Sequence, residues 1–350
     1  LENVLLPLRF HREPPPGTEG SARTVGGGAV VHATRPRARK KAAAKRMQVD
    51  VPAIIDARKS QAEGVRLSHP EKRLWPDDRL TKQHLAAYWD ANAEAALPHL
   101  AGRPLALVRC PDGIKGETFF QKRASPGFPQ EIDQLTIGKE PALAIHDAAG
   151  LQALAQMSAI EIHPWGSLIE SVEMPDRLIF DLDPDEGLDF DRVISAAHLV
   201  RDVLKDAGLV SFCKTTGGKG LHVVLPVRPV LAWPEAKAFC QALADTVARD
   251  RPREFTSVLA KKARSDRIFI DYLRNARGST AIGAFSPRAR PGGTVASPLT
   301  WREVKSGLDP KRFTIATLAD GPGSRAKAWD GFFDIDQRIG PKARKLFGLK

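Results

Sequence analysis

Two aspartates, Asp181 and Asp183, close the apolar run Arg177-Leu178-Ile179-Phe180 with a single leucine between them. In an extended strand side chains alternate between faces, so residues two apart project the same way. Their attachment points then lie ~6–7 Å apart. Like charges that close resist joint ionisation unless a cation stands between them, and a divalent metal is the simplest candidate. Glu173, Asp176, Asp185, Glu186, Asp189 and Asp191 make the surrounding segment acidic within a basic chain. A solvated turn, with Asp189 or Asp191 capping the next helix, fits the same residues, so the D-x-D pattern alone leaves both readings open.

Two further segments carry compatible chemistry. In K-T-T-G-G-K-G-L-H-V, residues 214–223, Gly217 and Gly218 permit a turn that exposes successive backbone N–H groups to phosphate oxygens. Thr216 supplies a hydroxyl, and Lys219 and His222 supply charge or donors. The loop is not a Walker A sequence, which needs Gly-Lys-Ser/Thr and a following helix; here a strand follows. A plain hairpin turn is the competing reading. In R-I-F-I-D-Y-L-R-N, residues 267–275, Asp271 sits in an apolar strand, and a buried carboxylate must be paired, hydrogen-bonded or metal-bound. Arg274 could be its ion-pair partner, or it could join Arg288 and Arg290 of S-P-R-A-R in holding phosphate. Taken together, three carboxylates suit one or two Mg²⁺ or Mn²⁺ ions. The Gly-rich turn and the cations suit a triphosphate, which is the equipment of phosphoryl transfer.

These residues need elements to position them. The pattern predicts a helix over 82–97 capped by Thr81 and stopped by Pro98, then strands over 104–110, 117–122 and 159–165, interrupted by the loop A-S-P-G-F-P-Q. A strand ends at D-L-D. A helix over 191–207 turns Val193, Ile194, Ala197, Val200, Val203 and Leu204 inward and ends at Gly208. Strands at 209–214 and 221–226 flank the Gly-rich turn, Pro234 opens a helix to about 249, and strands at 267–273 and 280–285 follow. Residues 311–350 read as irregular structure plus a final helix. Short turns between strands imply an α/β (α+β) fold with a mostly antiparallel sheet.

A chain of 350 residues with 42 % hydrophobic content suits one large domain or two ordinary ones. No stretch approaches the ~20 apolar residues that span a bilayer, and no secretory signal is evident. Three scattered cysteines make neither a disulfide framework nor a zinc site, which fits a reducing cytosol. The net charge is +12, and residues 1–60 hold 12 Lys/Arg against 5 Asp/Glu. That segment, with PPPG, GGG and the basic run at 35–46, reads as a linker or arm, with order beginning near Val65. A polyanionic partner is plausible for such a chain. The start without Met reads as a piece of something longer.

The series D-L-D, (S/T)-G-G-K-G-x-H and I-F-x-D-Y-L-R-N resembles the archaeo-eukaryotic primase superfamily. More closely it resembles the polymerase domain of bacterial ATP-dependent DNA ligase D, over roughly residues 65–310. R-L-S-H-P-E-K-R-L-W-P, L-T-K, R-P-L-A-L-V-R-C-P-D-G and F-F-Q-K extend the match. The resemblance implies a mostly antiparallel central sheet with an RRM-like palm module. It implies residues 1–60 as a flexible arm, 61–310 as the primase-polymerase domain (61–170 an N-terminal module, 171–290 the palm) and 311–350 as an extension. Asp181, Asp183 and Asp271 would hold two metals, Mn²⁺ or Mg²⁺, with Asp271 also assisting the primer 3′-hydroxyl. Thr216, Gly217, Gly218, Lys219, His222, Arg274, Arg288 and Arg290 would receive the phosphates of an NTP or dNTP; Thr216 stands where the family usually has Ser. Phe119 and Phe120 match a base-stacking pair, of which one is expected to be exposed. Lys72 and Lys82 match lysines that grip a downstream 5′-phosphate in some members, while His163 and Trp165 read as structural.

The implied activity is extension of DNA ends and filling of short gaps, with a ribonucleotide preference, during bacterial non-homologous end joining. The implied partners are primer–template DNA, Ku and a ligase module of the parent protein, and the implied setting is a nucleoid-associated cytoplasmic monomer. No K-x-D-G motif is present, so nick sealing is not expected of this chain. Three alternatives remain open at this point. A metal-dependent nuclease or phosphatase also uses D-x-D, although Asp185 breaks the D-x-D-x-T pattern of haloacid dehalogenases. A glycosyltransferase uses D-x-D but has no need of the G-G-K-G-x-H loop. A non-catalytic DNA end-binding module would leave the acidic cluster unexplained.

Overall fold

The computed structural model describes residues 65–125 and 127–349; the basic arm predicted over 1–60 lies outside them. A short hairpin of β1 (Arg73–Trp75) and β2 (Leu80–Thr81) leads into α1 (Lys82–Leu100). Thr81 caps α1 in a reciprocal box with His84: the Thr81 hydroxyl accepts from the His84 N–H, and His84 Nδ1 accepts from the Thr81 N–H. Pro98 does not stop this helix as predicted; it lies inside, and the chain leaves only after Leu100. Proline removes one intrahelical donor, and burial of Ala96, His99 and Leu100 holds the last turn in place.

Five strands form the first sheet: β3 (Leu105–Arg109), β4 (Phe119–Gln121), β5 (Asp133–Ile137), β6 (Glu140–Ala144) and β7 (Ala159–Pro164). Their order is β4-β3-β6-β5, with β7 pairing β3. The helix α2 (Ala148–Gln156), capped by Asp147, precedes β7. The hairpin β5–β6 and the helix α2 are absent from the sequence reading.

The second sheet holds β8 (Arg177–Pro184), β9 (Phe212–Thr215), β10 (Leu221–Pro226), β11 (Phe255–Thr256), β12 (Ile268–Asp271) and β13 (Pro298–Leu299). Its order is β11-β12-β8-β10-β9-β13. Two helices, α3 (Phe190–Asp206) and α4 (Trp233–Asp250), connect β8 to β9 and β10 to β11. With β12 counted as the fourth strand, the core of this module is β-α-β-β-α-β, the fourth strand beside the first and the third between first and second, which is the expected RRM-like palm. All pairings are antiparallel except β11 with β12.

Alternation along β8 divides the two faces. Leu178, Phe180 and Leu182 enter one core with the apolar stripe of α3, including Val193, Ile194, Ala197 and Val200, and with Phe239 and Leu243 of α4. Gly208, at φ +80°, ends the chain path of α3 in the left-handed conformation that glycine tolerates. Ile179, on the opposite face, packs into a second core with α1, α2 and the first sheet. That face also carries the two aspartates.

Residues 280–285, predicted as a strand, form none. Gly283 is wedged between the end of α1 and β7: a Cβ there would sit 2.4 Å from Leu100 Cδ2 and 3.2 Å from Ile162 O. Phe285 then turns at φ +65°. The segment from 280 to 299 instead acts as a strap. It bonds to β7 through Gly283 N–H to Ile162 O (2.9 Å) and to β9 through Thr215 N–H to Ser297 O (2.9 Å). The final helix, α5 (Pro341–Leu346), completes the described chain.

Candidate active site

Register in the second sheet sets the site. His222 of β10 lies directly opposite Asp181 of β8, Asp271 of β12 lies opposite Asp181 on its other side, and Lys214 of β9 lies opposite His222. Directly opposed residues share a face, so Lys214, His222, Asp181 and Asp271 form one row across four strands. Asp183, two residues beyond Asp181, joins them. The three acids thus share one face; the sequence spacing required this of Asp181 and Asp183, and strand register adds Asp271.

Cations meet the acids. Arg274 Nε lies 3.1 Å from Asp271 Oδ2 and 3.4 Å from Asp181 Oδ2. Asp183 receives Arg264 Nη1 at 3.0 Å and lies 3.6 Å from Lys219 Nζ. His222 Nε2 is 3.3 Å from Asp181 Oδ1, while its buried Nδ1 has no protein partner. Burial works against ionising Asp181, yet His222, Arg274 and Lys214 outweigh it and hold the carboxyl at about 2. Burial raises Asp271 despite Arg274, with Asp181 adding to the rise. Burial lowers His222 to about 4, assisted by Lys214. Burial likewise lowers Lys214 to about 7, assisted by Arg288.

No three His, Cys, Asp or Glu side chains converge on a common metal position among the described residues; Arg274 stands between Asp271 and Asp181, and Arg264 pairs with Asp183. The donor set nevertheless fits a hard divalent cation: carboxylate oxygens on one face, already attracting positive charge from several directions.

The Gly-rich turn joins β9 to β10 beside this row. Gly217 has φ +67°, and a Cβ there would lie 2.6 Å from Arg288 Cγ. Gly220 passes so close to β8 that its Cβ would sit 2.6 Å from Leu182 O. Both positions therefore demand glycine. The Thr216 hydroxyl accepts from the Gly218 and Gly220 N–H groups and donates to Gly220 O, so it closes the turn on itself. Lys219 Nζ donates to Pro184 O at 2.7 Å. From the strap, Arg288 reaches Thr216 O, and Arg290 Nη1 would contact a Cβ on Gly218 at 3.1 Å.

A cavity of about 240 Å³ is lined by His163, Asp181, Asp183, Thr216, Gly218, Lys219, Gly220, His222, Arg274, Arg288 and Arg290, while Asp271 and Gly217 are not in its wall. Thr280, Ala281 and Ile282 complete its wall. Phe119 and Phe120 line a neighbouring cavity with Arg109, Lys122 and Arg123. Both phenylalanines are exposed, at 42 % and 59 %, where one was expected to be covered. Their strand is a three-residue edge of the first sheet. Phe120 approaches the His163 ring at 6.2 Å between centroids.

Lys72 and Lys82 lie away from the cavity at the β1–β2 hairpin. Lys72 Nζ contacts Asp112 at 3.0 Å. Lys82 is only 5 % exposed and donates to Ser68 O. Four residues of the site escape the sequence reading. Glu161 bonds His163 and Arg288, and Lys214 ends the cross-strand row. Arg264 holds Asp183, and Asn275 clamps β8. The period-2 alternation of Glu161 with His163, and of Lys214 with Thr216, was the available signal.

Comparison with known proteins follows the same lines. The family model described as LigD, primase-polymerase domain, matches residues 81–329. The multifunctional non-homologous end joining protein LigD of Pseudomonas aeruginosa is 37 % identical over 302 residues, covering 85 % of this chain and 36 % of the relative. The bifunctional non-homologous end joining protein LigD of Bacillus subtilis is 32 % identical over 251 residues, covering 71 % of this chain and 41 % of the relative. The chain therefore spans well under half the length of these curated relatives. Among solved structures, the polymerase domain of Mycobacterium tuberculosis ligase D in complex with DNA aligns with a TM-score of 0.69 at 29 % identity. That alignment covers 76 % of this chain and 98 % of the other.

Proposed function

This chain belongs to the LigD primase-polymerase domain family, and on that premise we propose that it is a nucleotidyltransferase acting on DNA ends. The primer 3′-hydroxyl oxygen attacks the α-phosphorus of a nucleoside triphosphate, a phosphodiester forms, and pyrophosphate leaves. The observation that carries this reading is the cross-strand row of acids lying beside a glycine turn ringed by Lys219, Arg274, Arg288 and Arg290. Asp181, Asp183 and Asp271 would hold the divalent cations, Mn²⁺ or Mg²⁺. When bound, such ions neutralise charge on the attacking and leaving oxygens.

The protein's own groups supply the rest. Lys219, His222, Arg288 and Arg290, with the backbone N–H groups of the Gly-rich turn that the Thr216 hydroxyl does not already engage, orient the triphosphate. Phe119 and Phe120 offer exposed π-faces to template or incoming bases. Lys72, with Lys82 buried beneath the same hairpin, forms the 5′-phosphate site. Ribonucleotide preference, short gap filling, Ku and a ligase module of the parent protein as partners, and work at the nucleoid complete the proposal. So does the division into a 61–170 module and a 171–290 palm within the 61–310 domain.

The test is a primer–template assay with Mn²⁺ and labelled NTP. Asp181→Ala and Asp183→Ala are expected to cut extension by at least ~100-fold, the scale of losing a group that acts on the reacting centre, while DNA binding persists. Unchanged extension in either variant contradicts the assignment. Primer shortening would mark a nuclease, and a mobility shift without chemistry a binding module.

A further inference from the structure

Glu161 sits in β7 with its side chain 8 % exposed. It shares a face with His163 and lies opposite Val108 of β3, which in turn lies opposite Phe120 of β4. A buried carboxylate is costly unless its oxygens are satisfied, and both are. Oε1 accepts from Arg288 Nε at 3.0 Å and from the Ala289 N–H at 2.9 Å. Oε2 bonds His163 Nε2 at 2.8 Å. Burial opposes the charge, but His163, Arg288 and the Ala289 N–H outweigh it and hold the carboxyl at about 2.

The consequence falls on Arg288. Its Nε is fixed by Glu161 and its Nη1 by Thr216 O at 2.8 Å. Its stem packs against Gly217. Only Nη2 lacks a protein acceptor among the described residues. The guanidinium thus spans from the first sheet to the Gly-rich turn at the cavity wall. A side chain immobilised before its ligand arrives loses little rotamer freedom on binding.

We infer that Glu161 is a positioning residue for the nucleotide: it sets Arg288, and through the Ala289 N–H the S-P-R-A-R strap, over the phosphate-binding turn. This rests on the nucleotidyltransferase reading above. Its carboxylate also ties the strap to His163, so the base-stacking side and the phosphate side of the site are held by one group.

The experiment measures NTP KM and kcat in the Mn²⁺ extension assay for wild type, Glu161→Gln, Glu161→Asp, Arg288→Ala and the Glu161→Gln/Arg288→Ala double variant. Thermal midpoints and DNA affinity are measured alongside. Glu161→Gln keeps the volume and an acceptor for the Ala289 N–H, so folding is preserved. It is expected to raise NTP KM by roughly tenfold, the scale of a lost charge-assisted bond, with kcat changed far less. DNA affinity should stay at the wild-type value, and Glu161→Asp should recover part of the KM. Arg288→Ala should raise KM as well, and the double variant should be no worse than Arg288→Ala alone. An unchanged KM in Glu161→Gln, a loss confined to kcat, or additive effects in the double variant would overturn the inference. If wild type extends no primer, the underlying function fails; if wild type extends and Arg288→Ala raises KM while Glu161→Gln does not, only this inference fails.

Discussion

Asn275 carries no charge, yet it fixes the geometry of the charged residues around it. Its Oδ1 accepts from the Ile179 N–H at 2.7 Å, and its Nδ2 donates to Ile179 O at 2.8 Å and Tyr272 O at 3.0 Å. Those bonds continue the β8–β12 pairing past Asp271 and anchor the 3₁₀ turn Leu273–Asn275 that presents Arg274. Asn275→Ala leaves buried Ile179 polar groups without partners, so it should destabilise the fold by about 1–3 kcal/mol. The check is a shift of the denaturant midpoint at unchanged slope. The sequence displayed the neighbouring Asp271 and Arg274 because their types announce chemistry. An asparagine that mimics a strand's backbone has no such signature until the strand beside it is known.

At the scale of elements, the start of β8 is tied to the first module by charge. Asp176 Oδ1 accepts from Arg103 Nη1 at 2.7 Å, and its other oxygen meets Arg103 Nη2. Arg177 Nε also lies 3.4 Å from Asp176 Oδ1. Burial works against the Asp176 charge, but Arg177 and Arg103 outweigh it and bring the carboxyl from 3.8 to about 2. A folded-state value below the unfolded one means protons bind the unfolded chain more readily. The clamp therefore stabilises fully above pH ~4, and its contribution of roughly 2 kcal/mol is lost as pH falls toward 2. Asp176→Asn should flatten the acid limb of a stability-versus-pH curve in that window; an unaltered limb would refute the clamp. Element legibility follows from pattern strength. The α3 stripe was plain, and of its two candidate caps, Asp189 and Asp191, the structure uses Asp189. The β5–β6 hairpin was not, because β6 (Glu-Pro-Ala-Leu-Ala) is poor in strand-forming types. Its two-residue turn at Gly138, φ +64°, was the usable clue.

Across the whole molecule, residues 61–350 are only mildly basic, and positive groups gather where the proposed DNA path runs. Lys122, Arg123 and Arg109 surround the exposed phenylalanines, and Lys72 lies at the β1–β2 hairpin. DNA affinity should fall linearly in log–log form with salt concentration. Lys72→Ala should reduce that slope by about 1 on substrates bearing a downstream 5′-phosphate, and should change nothing on substrates without it. Fluorescence anisotropy across a salt series decides this. Among the described residues no helix is long and apolar enough to cross a membrane.

The sequence by itself determined that Asp181 and Asp183 share a face, that glycines shape the 214–223 turn, and which helices bury which stripes. These are consequences of period and backbone freedom within a few residues. Only the tertiary structure decided that Asp271 and His222 flank Asp181, that both phenylalanines stand exposed, and that residues 280–285 belong to a strap rather than a strand. It also decided that Glu161 reaches Arg288 across 127 positions. Strand register and sheet order are set by long-range packing, and no local pattern encodes which distant residue will lie opposite.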